Sequence, residues 1–270
     1  MVPILSSHPE GVRPRLTDAQ ARPAADLPGK QEMEDQLDAM TDRIESLQAA
    51  LGAEQRRSLL VVLQGRDACG KDGTTRRVFR KVNPALCTVT NFKRPSEREL
   101  HHDYLWRVHQ AVPARGMIGI FNRSHYEDVL VVRVHGLVAE AVWRKRFAQI
   151  RDFEAMLADE GMVIRKFFLH VSKEEQRKRL EERLDDPAKN WKFEAGDLGE
   201  RALWDNYTEA YEEVLEKTST PRNPWFIVPA DRNRARDLMV AQVVLHTLEE
   251  MDPKYPPADP AVLAFRGGIV

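Results

Sequence analysis

Apolar side chains at Met33, Leu37, Met40, Ile44, Leu47 and Leu51 recur in steps of three and four. That spacing lays one apolar stripe along a helix over 31–55, and Gly52 near its end is a reasonable stop. The pattern then changes. Residues 58–63 read Ser-Leu-Leu-Val-Val-Leu, a continuous run that ends just before Gly65. A strand buried on both faces has this signature, as in a parallel sheet. Residues 86–92, 117–121, 162–169 and 225–228 are further strand candidates. Helical stretches separate them at about 71–82, 97–111, 140–160, 173–185 and 200–217, and another follows at 233–251. Strands alternating with helices predict a doubly wound α/β domain around a parallel sheet.

The ends and one internal segment depart from this rhythm. Residues 1–30 are rich in proline and polar residues and read as a flexible arm, ordered only by docking. The alternation fills 31–255, and 256–270 remain as a tail. Within the domain, 172–206 carries Lys173, Arg177, Lys178, Arg179, Arg183, Lys189, Lys192 and Arg201. It opens with Ser172-Lys-Glu-Glu175, a capping-box signature, and is interrupted at Asp186-Pro187 and Gly196. A basic helix, a turn and a second helix predict a mobile lid.

Composition narrows the class. The chain has 270 residues, of which 42% are hydrophobic and 31% charged, with a net charge of −1. That balance allows a buried core and leaves any anion site to local clustering of charge. Cys69 and Cys87 make no disulfide framework, and no C-x-x-C metal spacing occurs. No apolar run approaches the roughly 18 residues of a spanning helix, and no secretory h-region is present. The expectation is a cytoplasmic protein with no membrane partner.

Residues 65–74 read Gly-Arg-Asp-Ala-Cys-Gly-Lys-Asp-Gly-Thr. Gly65, Gly70 and Lys71 have the G-x-x-x-x-G-K spacing, after a predicted strand and before a predicted helix. Such a loop turns backbone N–H groups onto phosphate oxygens, and the helix N-terminus adds positive potential. Lys71 supplies a mobile charge. Asp72 stands where the common motif has a magnesium-binding hydroxyl. Asp67, inside the loop, would repel phosphate unless a magnesium ion lay between them.

A second cluster follows the strand at 117–121, where Asn122-Arg-Ser-His-Tyr-Glu-Asp128 closes an apolar run. Ligands of open α/β sheets sit outside the carboxyl ends of strands, so this cluster should face the phosphate loop. Ser124 and Glu127 also have the spacing of a capping box.

From these blocks the chain resembles the polyphosphate kinase 2 family over roughly 31–250. The likeness rests on Gly65–Gly73, Phe92-Lys-Arg-Pro95, Tyr104-Leu-Trp-Arg107, Phe121–Asp128, Arg179-x-x-x-Arg183 and Asp186–Phe193. Trp204-Asp-Asn-Tyr207, Thr218-Ser-Thr220, Pro224-Trp225 and Val228-Pro-Ala-Asp231 complete it. The resemblance implies a P-loop kinase-like three-layer fold with a helical lid. It implies reversible, magnesium-dependent phosphoryl transfer from inorganic polyphosphate to a nucleotide, with manganese as the alternative ion. Asp67 looks like the metal-site acid, Lys71 the loop lysine, Arg123 the strand-end arginine, and Arg179 and Arg183 the lid arginines. Asn122 stands where many members carry Asp, which removes a second metal ligand. Glu127-Asp128 stands where many have Asn-Arg, as in the subclass acting on both AMP and ADP. Catalytic roles are therefore expected for Asp67, Lys71, Arg123, Glu127, Asp128, Arg179 and Arg183. Phosphate or nucleotide contacts are expected from Gly65, Arg66, Ala68, Gly70, Asp72, Gly73, Thr74, Lys93, Arg94, Lys189 and Lys192. The expected partners are polyphosphate and AMP, ADP or ATP, with guanine nucleotides as further candidates, no nucleic acid, and a second copy in a homo-oligomer (dimer or tetramer).

The chemistry makes charge the main demand. At ~4 Å and an effective dielectric near 20, each pair of unit charges repels by about 4 kcal/mol. Lys71, Arg123, Arg179 and Arg183, with a metal on Asp67, suffice in number. Leu180 and Leu184 would anchor the lid helix. Arg66, Arg76, Arg77, Arg80 and Lys81 are a possible donor channel or a plain exposed face, and His125 either a phosphate contact or a structural residue. Trp191 and Phe193 could stack on a base or pack the lid. Two alternatives share these features: a nucleoside monophosphate kinase using ATP, and a non-catalytic polyanion-binding protein. The acids inside the site weigh against the latter.

Overall fold

The computed structural model describes residues 4–188, 190–193 and 196–266. Along the chain, α1 (Lys30–Glu54) leads into β1 (Ser58–Gln64), α2 (Lys71–Val78) and β2 (Cys87–Asn91). Two short helices, α3 (Glu97–Leu100) and α4 (Trp106–Ala111), precede β3 (Ile118–Asn122). A one-turn α5 (Val131–Val134), a long α6 (Glu140–Asp159) and β4 (Met162–His170) follow. The remainder is α7 (Lys173–Asp185), α8 (Gly196–Ala202), α9 (Trp204–Thr218), β5 (Trp225–Pro229), α10 (Asn233–Met251) and α11 (Pro260–Leu263). The five strands form one parallel sheet in the order β2-β3-β1-β4-β5.

The apolar run of β1 is continuous because both of its faces are covered. Leu59, Val61 and Leu63 pack into a core with α1, α2 and α10. Leu60 and Val62 pack into a second core with α6 and α9. All seven β1 residues are buried. This is the three-layer arrangement expected of an α/β fold. Lys166 is the exception in β4. It is fully buried, with Nζ donating to Glu154 Oε2 at 2.6 Å.

The helix expected over 97–111 is instead two. Ser96 and Glu99 form a capping box that starts α3. Asp103 then turns the chain by accepting the Leu105 N–H at 3.0 Å, and α4 begins beyond it. The stretch expected at 200–217 starts earlier, as α8, and breaks at Leu203 before α9. Leu180 is buried as expected, but Leu184 is 52% exposed and anchors nothing.

The N-terminal segment docks along the β5 edge and the root of α7. His8 N donates to Trp225 O at 2.7 Å, and Asp231 N donates to Ala21 O at 3.0 Å. His170 Nε2 donates to Thr17 O at 2.8 Å, and Lys173 N donates to Asp18 Oδ1 at 3.2 Å. Leu16 and Ala21 are buried by this contact. Among the described residues no helix is long and apolar enough to cross a membrane.

Candidate active site

The sheet order places two chain reversals side by side. β1 lies between β3 and β4, so strand order reverses at β1 and a crevice opens at its carboxyl end. The loop after β1 fills it. Gly65 has φ +149°, and a Cβ there would stand 2.6 Å from Leu169 O. Gly70 has φ +104° and caps the N-terminus of α2. A side chain at either position would be strained, and at Gly65 it would also collide with β4.

Lys71 turns back over this loop. Its Nζ donates to Gly65 O at 2.7 Å and Arg66 O at 3.3 Å, and lies 3.6 Å from Cys69 Sγ. Asp72 accepts from Asn122 Nδ2 at 2.6 Å, which joins the start of α2 to the end of β3.

β3 delivers the second cluster because Leu63 and Asn122 are register partners and Arg123 N donates to Leu63 O. Arg123 has φ +61°, and its Nη2 donates to Asp67 Oδ1 at 2.6 Å. Its Nη1 lies 3.8 Å from Glu127 Oε2. Burial works against the Arg123 charge, but Glu127 and Asp67 outweigh it and hold its pKa above the ordinary value. Burial also pushes the Glu127 carboxyl up, against the pull of Arg123 and Lys71. Ser124 does cap the following turn, accepting from Tyr126 N at 3.2 Å. Glu127 does not complete a capping box, and its carboxylate faces the crevice instead.

Two cavities meet here. A small one of about 260 Å³ is lined by Gly65, Arg66, Asp67, Arg123 and Glu127 from the two loops. Gln176, Gly196, Glu200 and Trp204 close it from the segment expected to be a lid. Its Arg66 lies 4.0 Å over the Trp204 ring and donates to Thr208 Oγ1 at 2.5 Å. A larger cavity of about 1000 Å³ carries Lys93, Arg94 and Asp128, with an apolar wall of Leu137, Val138 and Val142. Arg123, Glu127 and Val131 line both. In the larger cavity Arg146 Nη1 donates to Asp128 O at 2.9 Å and lies 3.3 Å from Asp128 Oδ1, while Arg107 lies 3.8 Å from Oδ2. Burial raises the Asp128 pKa, and these arginines oppose it.

Several expected site residues lie elsewhere. Thr74 is buried; its hydroxyl donates to Asp237 Oδ1 at 2.8 Å and so points into α10, not to a phosphate. Gly73 faces the same helix. Arg179 donates to Ala68 O at 3.1 Å, Cys69 O at 3.2 Å and Ala230 O at 2.6 Å, and lines neither cavity. Its guanidinium braces the loop by holding the Ala68 and Cys69 carbonyls. Arg183 is half-buried on the same helix, outside both cavities. Lys189 lies outside the described residues, as does the side chain of Lys192. Arg77, Arg80 and Lys81 pair with Glu34, Asp38 and Asp42 of α1 and line neither cavity. His125 is buried against Glu154, a structural role. Trp191 is 73% exposed with Nε1 donating to Ala188 O, and His102 stacks on Trp106. Reading the sequence for site residues missed Arg107, Arg146 and Tyr207 on the cavity walls. Arg107 and Tyr207 stand in the family blocks, so position alone could have raised them.

The family model for polyphosphate kinase 2 matches residues 28–256. The chain is 54% identical over 233 residues to an AMP/ADP-polyphosphate phosphotransferase of Meiothermus ruber, covering 86% of this chain and 87% of that one. It is 46% identical over 244 residues to an ADP-polyphosphate phosphotransferase of Rhodopseudomonas palustris, covering 86% and 84%. The crystal structure of polyphosphate kinase 2 from Arthrobacter aurescens superposes with a TM-score of 0.87 at 37% identity, covering 99% of each chain.

Proposed function

The chain belongs to the polyphosphate kinase 2 family, a polyphosphate-dependent nucleotide phosphotransferase, and we propose that it carries phosphoryl groups to both AMP and ADP across the junction of its two cavities. The shared wall of Arg123 and Glu127 carries this reading. A donor phosphate in the small cavity and an acceptor phosphate at the near end of the large one would both touch it. The far wall of Leu137, Val138 and Val142 suits a base, and Lys93 and Arg94 suit nucleotide phosphates. A pocket with an apolar wall and a few placed charges is the usual form of a small-molecule site.

Charge neutralisation does most of the work in phosphoryl transfer. Lys71 leaves its loop carbonyls and takes the donor phosphate. Arg123 exchanges Asp67 for the phosphoryl group in transit. Asp67 and Glu127 are then the residues that would hold magnesium, or manganese in its place. Among the described residues no group of three or more His, Cys, Asp or Glu is placed to bind a metal. Asp67 and Glu127 still fit, because magnesium takes one or two carboxylates and fills its shell with substrate phosphates and water. When bound, the ion supplies positive charge to the reacting phosphates.

AMP as acceptor is supported by the Glu127-Asp128 pair and by the activity in the name of the 54%-identical relative. Incubation of the protein with AMP, polyphosphate and magnesium, without ATP, should yield ADP and then ATP. Absence of any product from AMP, with ATP still made from ADP, would restrict the acceptor to ADP. Lys71→Ala should lower the rate by at least about a hundredfold while leaving the circular dichroism spectrum unchanged, the scale expected for loss of a principal electrostatic contact.

A further inference from the structure

Behind the phosphate loop lies a guanidinium from the far end of the chain. Arg236, on α10, is 2% exposed. Its Nη1 donates to Cys69 O at 3.1 Å and to Asn233 Oδ1 at 2.7 Å. Its Nε donates to Thr74 Oγ1 at 2.8 Å, and its Nη2 to Asp237 Oδ1 at 2.8 Å. Thr74 Oγ1 donates to the same Asp237 oxygen at 2.8 Å. Asp237 Oδ2 lies 2.9 Å from Arg77 Nε, which also binds α2 to α10. A Cβ built on Gly70 would overlap Arg236 Nη1. The guanidinium therefore occupies the space that the glycine leaves open. Arg236 lines neither cavity.

We propose that Arg236 is a positioning residue for phosphoryl transfer, which rests on the loop being the donor-phosphate site. In a trans peptide the C=O and the next N–H point in opposite directions. Drawing the Cys69 carbonyl toward α10 aims the Gly70 N–H away from α10, where a phosphate oxygen can accept it. Arg179 holds the same carbonyl at 3.2 Å from α7, so the loop is clamped between two helices. The α10 clamp belongs to the main core, whereas the α7 clamp belongs to the lid segment. Arg236 thus keeps the donor N–H groups preorganised whatever α7 does. A planar guanidinium reaches Cys69 O, Asn233, Thr74 and Asp237 together; an ammonium has no such fork.

The test compares Arg236→Met, Arg236→Lys and Thr74→Val with the wild type, well below each melting temperature. Initial rates with ADP and polyphosphate are read beside the affinity for inorganic triphosphate measured by calorimetry. Arg236→Met should lower kcat at least tenfold and weaken triphosphate at least tenfold, with the KM for ADP unchanged within twofold. Arg236→Lys should recover less than half of the lost kcat. Thr74→Val, which removes one link of the clamp, should weaken triphosphate by threefold or more with ADP again unaffected. Folded variants with wild-type kcat and triphosphate affinity would overturn the proposal. So would a fall in thermal stability alone, or equal changes in the ADP and triphosphate terms. If Arg236→Met does not fold, an unchanged triphosphate affinity in Thr74→Val overturns it. Failure of the donor-site reading itself is distinct: the wild type would then bind no triphosphate.

Discussion

Lys166 sits on β4 among apolar neighbours, where its charge must be compensated by what surrounds it. Nζ donates to Glu154 Oε2 at 2.6 Å, Tyr126 Oη at 3.0 Å and Thr218 O at 2.7 Å. Tyr126 Oη in turn donates to Glu154 Oε1 at 2.7 Å, and His125 Nε2 lies 3.2 Å from that oxygen. Burial alone would raise the Glu154 pKa, but the Lys166 ammonium and His125 overcome it and hold the carboxylate ionised. His125 and Tyr126 begin the turn that carries Glu127 and Asp128, so this buried pair supports the site from below. Glu154→Gln strands the ammonium and should cost about 3–5 kcal/mol in urea unfolding, and Glu154→Gln with Lys166→Met should recover part of that loss. An unchanged midpoint in Glu154→Gln would contradict the account. Nothing local in the sequence distinguishes Lys166 from an exposed lysine, because its partners lie on α6, α9 and the 125–128 turn. The same holds for Arg236. By contrast, the placement of Gly65, Asp67 and Arg123 at the crevice was legible, since strand ends and loop spacing set it without knowledge of distant partners.

Among the elements, those with a strong period of their own appear where the sequence predicts them. α1 keeps Leu37, Ile44, Leu47 and Leu51 buried, and all five strands begin within one residue of expectation. What the pattern misjudges is where charge goes. Arg77, Arg80 and Lys81 look like a basic face for the donor chain, yet they meet Glu34, Asp38 and Asp42 of α1. Arg179 looks like a lid charge, yet it holds the backbone of the phosphate loop. The N-terminal segment has no period to read, because its order comes from capping and edge contacts with β5 and α7. His170 anchors it through Thr17 O, and burial pushes this imidazole below its ordinary value. The unfolded chain then takes a proton more readily than the folded one. Its contribution to stability is full above the unfolded value of about 6.5 and declines as pH falls through the lower folded value. His170→Gln, which can still donate to Thr17 O, should flatten the fall in urea midpoint between pH 7 and pH 5. An equally steep fall in that variant would assign the pH dependence to other groups.

At the scale of the whole molecule, function follows from where the sheet reverses. β1 and β3 end side by side, and their loops wall off a small charged cavity from a large, partly apolar one. The rule for open α/β sheets anticipates a site at that crevice. It does not anticipate two compartments, because the larger depends on how α3, α4, α5 and α6 pack, and the helix break at Asp103 was not read from the sequence. Under the proposed function, donor and acceptor occupy separate spaces with Arg123 and Glu127 between them. Transfer should then be direct, from polyphosphate to nucleotide. The most direct measurement uses polyphosphate labelled on phosphorus with unlabelled ADP and magnesium. The account predicts label in the γ-phosphate of ATP, at a rate lost in Lys71→Ala. Label released only as free phosphate, or ATP formed without label, would contradict it.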